Sequence, residues 1–452
     1  MTLRFGTDGV RGVANSELTV ELVTALGRAA VRVLGADTPF VVGRDTRRSG
    51  PMIEAALVAG MCAEGADVVL AGVLPTPGVA FLAHERGAPA AVISASHNSF
   101  EDNGVKLFAA GGRKIPAHVE SQVEAELRAL ATDMPDSGSS GVGVGIASEH
   151  RSALDDYVAH LVDAIDGRRF DGVRLVVDCG NGAAFRSAPA AFRALGADVD
   201  VLHAAPDGTN INRACGSTDT TGLRDAVRHS HASAGLAFDG DADRVIAVDE
   251  DGYEIDGDQM LAVGAIDLHD RGLLRGDAVV ATVLSNLGLR RALEPYGITL
   301  IECDVGDRNV IDELERADLV LGGEQSGHII NTLHATTGDG TLAGILLVDT
   351  MVRRGRELSE LASVMTRVPQ VMRNVAVSDA SALNGDAAFW NRVRDVDAEL
   401  GDDGRVLVRP SGTEPVVRVM VEAGDAAEAD AAATRLVELV EHAARRAIPA
   451  GP

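Results

Sequence analysis

Lysine is nearly missing from this 452-residue chain: Lys106 and Lys114 stand alone among 41 basic residues, and the rest are arginine. Where arginine is otherwise the rule, a retained lysine can mark a place that needs a compact ammonium able to share a proton, although taken alone chance retention explains two lysines better. Aromatic residues make up only 3%, which leaves few platforms for stacking nucleic-acid bases. With 67 acidic residues the formal net charge is −26, and that charge opposes non-specific attraction to DNA, RNA or an anionic membrane. Cys62, Cys179, Cys215 and Cys303 are scattered and form no CxxC pair, so the spacing suggests neither a disulfide framework nor a thiolate zinc site. No apolar run approaches the roughly 20 residues that cross a bilayer. The opening Met1-Thr-Leu-Arg-Phe-Gly lacks the apolar core of a secretion signal. The expectation is a cytoplasmic, soluble protein of about three domains, at about 150 residues each.

What is present is organised in threes. One stretch runs through Phe40-Val-Val-Gly-Arg-Asp, Gly65-Ala-Asp-Val-Val-Leu and Ala91-Val-Ile-Ser-Ala-Ser-His-Asn. A second runs through Arg174-Leu-Val-Val-Asp, Gly196-Ala-Asp-Val-Asp-Val-Leu and Gly235-Leu-Ala-Phe-Asp-Gly-Asp-Ala-Asp-Arg. The third runs through Ala278-Val-Val-Ala-Thr-Val, Gly297-Ile-Thr-Leu-Ile-Glu and Asp318-Leu-Val-Leu-Gly-Gly-Glu-Gln-Ser-Gly-His. Short apolar runs alternating with helical segments predict parallel α/β layers, and Leu18, Leu22, Leu26, Ala29 and Val33 carry the helical period. Each stretch ends in a polar loop, and ligands gather beyond the carboxyl ends of strands in such sheets. The tail is different: Arg405–Arg409 and Val416–Glu422 read as two strands, followed by a helix capped near Asp425 and Glu428. Pro135–Gly145, rich in Gly and Ser, reads as a linker; its GxGxG spacing follows no strand and opens no helix, against a dinucleotide loop.

Four loops carry chemistry. Asp239-Gly-Asp-Ala-Asp-Arg places carboxylates at alternate positions, able to converge on a hard cation such as Mg²⁺. An EF-hand would need glycine where Arg244 stands, and the flanks are strand-like. Ser94-Ala-Ser-His-Asn lacks the Gly-x-Ser-x-Gly elbow. A serine there can cap a helix or carry a phosphoryl group, with Lys106 as a base if electropositive surroundings lower its pKa. In Gly323-Glu-Gln-Ser-Gly-His, Glu324 and Ser326 suit sugar hydroxyls and His328 can exchange a proton near neutrality. Arg409-Pro-Ser-Gly-Thr-Glu-Pro with Arg418 suits a phosphate dianion. No Walker-type glycine-lysine loop occurs, which argues against a P-loop NTPase.

These four motifs, in this order, resemble the α-D-phosphohexomutase superfamily along essentially the whole chain. Phe5-Gly-Thr-Asp-Gly-Val-Arg-Gly, Pro206-Asp-Gly-Thr-Asn-Ile-Asn and Cys215-Gly-Ser-Thr resemble its bacterial branch acting on glucosamine phosphates. The resemblance implies an α/β protein with three related mixed-sheet domains and a C-terminal α+β domain around a central cleft. The expected divisions are 1–145, 146–250, 251–367 and 368–452. It implies phosphorylation at Ser96, and Mg²⁺ held by that phosphate with Asp239, Asp241 and Asp243. Lys106 and His328 become acid/base candidates, with Arg11 and His97 supporting the phosphoserine. Glu324 and Ser326 would read the sugar, and Arg409, Ser411, Gly412, Thr413 and Arg418 would clamp the phosphate that is not reacting.

The implied reaction interconverts glucosamine 6-phosphate and glucosamine 1-phosphate through glucosamine 1,6-bisphosphate; glucose or mannose phosphates are the alternative substrates. Implied partners are the phosphosugar, a second copy in a homodimer, and a protein kinase as one route to the first phosphorylation of Ser96, with no nucleic acid or membrane. Two residues depart from the family pattern. Ser99 stands where many members have proline, which would loosen the serine loop. Ala242 stands where glycine is frequent, a change that calls for a negative φ at that position.

Overall fold

The structure is a computed structural model and describes residues 9–132, 138–379, 383, 385–410 and 415–447. The described residues fall into two compact units, one of Met1–Leu284 with Tyr296–Val364 and one of Ser285–Pro295 with Met365–Pro452.

The first unit contains three sheets. The first sheet is built from β1 (Val10–Val13), β2 (Phe40–Arg44), β3 (Val68–Val73), β4 (Ala90–Ile93), β5 (Asp102–Ala109), β6 (Arg113–Lys114) and β7 (Ala147–Glu149). Its helices are α1 (Val20–Leu34), α2 (Gly50–Ala63), α3 (Thr76–Arg86) and α4 (Ala117–Thr132). Thr19 caps α1 by accepting the Leu22 N–H, and Leu18, Leu26 and Ala29 are buried along the predicted face. The second sheet comprises β8 (Arg174–Asp178), β9 (Asp198–Leu202), β10 (Ala234–Phe238), β11 (Val245–Asp249) and β12 (Glu254–Ile255), with α5 (Ala153–Asp163), α6 (Ala184–Ala194) and α7 (Thr221–Ser230). The third comprises β13 (Ala278–Thr282), β14 (Thr299–Cys303), β15 (Leu321–Gly323) and β16 (Ile329–Asn331), with α8 (Gly257–Asp270), α10 (Asp307–Ala317), α11 (Gly340–Arg354) and α12 (Leu358–Ala362); α9 (Leu287–Leu293), which follows β13 in the chain, lies in the second unit.

The threefold pattern of the sequence is a threefold pattern of strand order. The orders β5-β4-β2-β3, β11-β10-β8-β9 and β16-β15-β13-β14 superpose as fourth-third-first-second. In each, three strands run parallel and the fourth returns antiparallel. The sheets are therefore mixed, and each polar motif is the turn between the third strand and its returning partner. A parallel strand pair needs a helix to cross over, whereas an antiparallel return needs only a turn. That is why each motif is confined to a short, constrained loop.

The Gly/Ser-rich segment behaves differently from a linker. Its described part is tied to α2, with the Gly145 N–H donating to the Cys62 carbonyl (2.9 Å), and it leads into β7, which pairs with β3. The first sheet thus runs past residue 145. All three β7 residues are exposed, so no apolar pattern announced the strand.

The second unit contains β17 (Gln370–Ala376), β18 (Arg405–Pro410) and β19 (Val416–Glu422), antiparallel in the order β17-β19-β18, with α13 (Ala387–Leu400) and α14 (Ala426–Ala447). Leu436 and Val440 of α14 are buried against Val417, Val419 and Val421. Helix α9 belongs to this unit: Glu422 accepts from the Asn286 side chain (3.0 Å) and the Leu287 N–H (3.1 Å). No helix among the described residues is long and apolar enough to cross a membrane.

Candidate active site

The site in the first unit starts from a serine held in an uncommon backbone conformation. Ser96 lies just past β4 with φ +51°, a left-handed geometry that costs a non-glycine residue roughly 1–2 kcal/mol. Its surroundings fix it there. The Ser96 N–H donates to Ser94 Oγ (2.9 Å), and the Ser96 carbonyl accepts from Arg47 (2.8 Å) and from Asn212 (2.8 Å). Arg47 is the mould for the whole loop. Fully buried, it pairs with Asp45 (2.8 Å) and donates to the carbonyls of Ser96, Asn98 (2.9 Å), Ser99 and Asp102 (3.1 Å). Asp45 also accepts from Ser94 Oγ (2.6 Å), and its burial outweighs Arg47 and Ser94 in pushing its pKa up. At Ser99, Arg47 holds the backbone carbonyl rather than the side chain.

The aspartate loop abuts the serine. The Ser96 hydroxyl donates to Asp239 Oδ2 at 2.6 Å. Gly240 permits the approach, since a Cβ there would lie 2.4 Å from the Ser96 carbonyl oxygen. Asp239, Asp241 and Asp243 are all buried and offer oxygens within 4.8 Å of one another. Burial first, then the charges of Asp243 and Asp241, raise the Asp239 pKa well above the usual carboxylate range. Asp241 Oδ1 and Asp243 Oδ1 are buried without a hydrogen-bond partner. Three convergent carboxylates with orphaned oxygens fit a hard divalent cation. The expectation for Ala242 fails: its φ is +55°. The Ala242 N–H donates back to the Asp239 carbonyl (3.1 Å) and its own carbonyl accepts from Gly340 (3.0 Å). The turn imposes the left-handed geometry, and the methyl is accommodated within it.

Lys106, on β5, reaches Asp241 Oδ2 at 2.8 Å and Asp243 Oδ2 at 3.3 Å. Two carboxylates thus face its ammonium, which compensates their charge in this arrangement. Thr76, the first residue of α3, also donates to Asp241 Oδ2 (2.6 Å). His97 lies beside the serine: its Nδ1 is 3.3 Å from Ser96 Oγ and accepts from Arg244 (3.2 Å). Partial burial, then the cations Arg244 and Arg11, lower its pKa and favour the neutral ring. Arg11 sits on β1 opposite Gly104 of β5.

His328 is buried, with Nδ1 3.7 Å from Asp243 Oδ2 and Nε2 3.8 Å from Asp307 Oδ2. Its ring presses on Gly338, where a Cβ would lie 2.4 Å from ring atoms. Burial pulls its pKa down, but Asp243 and Asp307 together overcome that and raise it. Asp307 is also paired with Lys114. Glu324 Oε1 accepts from the Gly306 N–H (3.1 Å), and Ser326 Oγ is 3.4 Å from Glu324 Oε2. The structure therefore brings Ser96, His97, the three aspartates, Lys106 and His328 into one contact network, flanked by Arg11.

In the second unit, Arg409 and Arg418 are register partners across β18 and β19, so their side chains share one face. Ser411, Gly412 and Thr413 lie outside the described residues, as do Phe5 to Asp8. Sequence reasoning assigned no role to Arg47, Asp45, Thr76, Asn212 or Asp307. Asp45 ends the Phe40–Asp45 run and Asn212 closes the Pro206–Asn212 motif, so their positions at strand and loop ends were the available signal. Nothing in the pattern marked Arg47 among so many arginines.

A thrice-repeated α/β scaffold whose hairpin turns converge a serine, a carboxylate nest and a buried histidine defines a sugar-phosphate mutase. The chain belongs to the phosphoglucomutase/phosphomannomutase family: that family's α/β/α domains I, II and III match residues 2–133, 155–252 and 256–368, and its C-terminal domain matches 366–439. It is 52% identical over 445 residues to a phosphoglucosamine mutase of Salinispora tropica, covering 97% of this chain and 98% of that one. It is 49% identical over 447 residues to one of Streptomyces avermitilis, covering 97% and 99%. A crystal structure of a phosphoglucomutase/phosphomannomutase family protein from Burkholderia thailandensis has a TM-score of 0.81 at 27% identity, covering 99% of this chain and 98% of that one.

Proposed function

We propose that this chain is a phosphoglucosamine mutase working through a phosphoserine at Ser96. The carrying observation is the Ser96 hydroxyl, held in a strained conformation 2.6 Å from Asp239 beside the other two aspartates. The choice of sugar rests on identity of about half over nearly the whole length to proteins of that name.

In this reading phosphorylated Ser96 gives its phosphoryl group to the free hydroxyl of glucosamine 6-phosphate. The resulting 1,6-bisphosphate turns over and returns its other phosphate to Ser96, releasing glucosamine 1-phosphate. Asp239, Asp241 and Asp243, with the serine phosphate, would hold Mg²⁺, which supplies neutralisation of charge on the transferring group. Arg11 and neutral His97 support the phosphoserine. His328, protonated between Asp243 and Asp307, and Lys106 exchange protons with the attacked and departing hydroxyls. Glu324 and Ser326 orient the sugar, and Arg409, Ser411, Gly412, Thr413 and Arg418 hold the distal phosphate. The reading places the enzyme in the cytoplasm, with a kinase, self-phosphorylation or the bisphosphate as first phosphoryl donor, and is compatible with a homodimer.

The test is phosphorus NMR on the phosphorylated protein with Mg²⁺ and a trace of sugar bisphosphate, offering glucosamine 6-phosphate, glucose 1-phosphate and mannose 1-phosphate side by side. Glucosamine phosphate should be preferred; preference for another sugar keeps the mechanism and overturns the substrate. Ser96→Ala should bind substrate yet lose turnover by about a thousandfold or more. Near-normal turnover in that variant refutes the phosphoserine, and stoichiometric release of inorganic phosphate would indicate a phosphatase.

A further inference from the structure

The spacing of the four cysteines gave no sign of a metal site, yet the fold gathers one away from the aspartate nest. We propose that Asp178, His203 and Cys215 form a second cation site in this chain, selective for a thiophilic divalent ion of the Zn²⁺ class. Among the described residues, this trio and the three aspartates are the two groups whose ligand atoms all lie within 4.8 Å of one another.

The site is assembled at the carboxyl edge of the second sheet. Asp178 ends β8, His203 follows directly on β9, and Cys215 precedes the turn into α7. Asp178 Oδ1 lies 3.0 Å from His203 Nδ1. Zinc bonds of about 2.3 Å to sulfur and about 2.0–2.1 Å to nitrogen or oxygen place tetrahedral ligand atoms roughly 3.3–3.7 Å apart. Closing the trio onto an ion therefore shortens any ligand-atom separation by at most about 1.5 Å. The supporting contacts are in place: Asp178 accepts from the Gly180 N–H (2.9 Å) and the Gly216 N–H (3.1 Å), which orients the carboxylate. Asp178 and Cys215 are fully buried, while His203 is exposed, so one side stays open for entry and a fourth ligand.

The donor set separates this site from the catalytic one. Three carboxylates suit Mg²⁺, whereas thiolate and imidazole favour softer ions. The segment that carries Cys215 also reaches the serine loop. Asn212, in the same excursion between β9 and α7, donates from its backbone to the Gly180 carbonyl (2.9 Å) and from its side chain to the carbonyls of Ser96 (2.8 Å) and Asn98 (3.0 Å).

The experiment uses the full chain, stripped of metal and kept in excess Mg²⁺ to serve the aspartates, and titrates it with Cd²⁺ while following thiolate-to-cadmium charge-transfer absorption. One equivalent should bind with a single-thiolate band, and Zn²⁺ should displace it. Cys215→Ser should abolish the band, and His203→Ala should weaken binding by about tenfold or more. Absence of the band, its persistence in Cys215→Ser, or unchanged affinity in His203→Ala overturns the site. His203 is exposed, so its variant stays informative if Cys215→Ser fails to fold, and far-UV circular dichroism with the urea unfolding midpoint reports folding of both.

Discussion

Replacing Arg47 by methionine tests whether a buried arginine, and not the serine motif itself, sets the shape of the catalytic loop. The guanidinium makes one ion pair with Asp45 and donates to four carbonyls. Asn212 also donates to the carbonyls of Ser96 and Asn98, so Arg47→Met leaves those of Ser99 and Asp102 without their side-chain donor. Orphaning a buried charge costs about 3–5 kcal/mol, and an unsatisfied carbonyl about 1–3 kcal/mol. Two effects limit the sum: Asp45, whose pKa is already raised, can take up a proton, and the exposed end of the loop at Ser99 and Glu101 can rearrange toward water. The net loss expected in urea unfolding is therefore about 3–5 kcal/mol. Turnover should fall about a hundredfold or more, because the Ser96 backbone loses one of its two carbonyl anchors. Arg47→Lys separates the parts: it keeps a charge for Asp45 but cannot span four carbonyls, so it should recover stability more than turnover. Stability within about 0.5 kcal/mol of the parent, together with intact turnover in Arg47→Met, refutes the argument.

Further predictions concern pH and metal. Asp339 is fully buried, accepts from Tyr157 (2.9 Å) and from the Leu342 N–H (2.9 Å), and has its pKa raised by burial to about 6, against those hydrogen bonds. A carboxyl whose folded pKa lies above its unfolded value of 3.8 adds stability below that value and loses it as pH rises through about 6, here on the order of 3 kcal/mol. Asp339→Asn keeps both hydrogen bonds, so its stability should become roughly pH-independent over that interval and exceed the parent at neutral pH; parallel unfolding profiles would count against this. Chelation of divalent ions should abolish turnover, and added Mg²⁺ should restore it. Thr76→Val removes the donor to Asp241 Oδ2 and should raise the Mg²⁺ concentration for half-maximal turnover about tenfold, with the sugar KM little changed; an unchanged Mg²⁺ requirement would remove Thr76 from the metal's supporting contacts.

The three α/β units and the ordered polar loops were legible in the chain, because strand patterning and short-range motif chemistry are local properties; the meeting of Ser96 with the aspartates was implied only by the family resemblance. Even the returning strands were partly visible, in the apolar run after Arg244. Three features were not. The left-handed φ of Ala242 is imposed by hydrogen bonds to Asp239 and Gly340, the latter from a distant segment. The charge around Lys106 depends on what the fold sets beside it, and Asp241 and Asp243 reach it from the loop of another sheet. Arg47 is one arginine among many until its burial sets it against four carbonyls of one loop. The sequence by itself thus determined the scaffold and the reacting groups. Tertiary structure decided protonation, backbone strain and the cysteine's neighbours, because burial and charge proximity arise only when segments far apart in the chain share a low-dielectric interior.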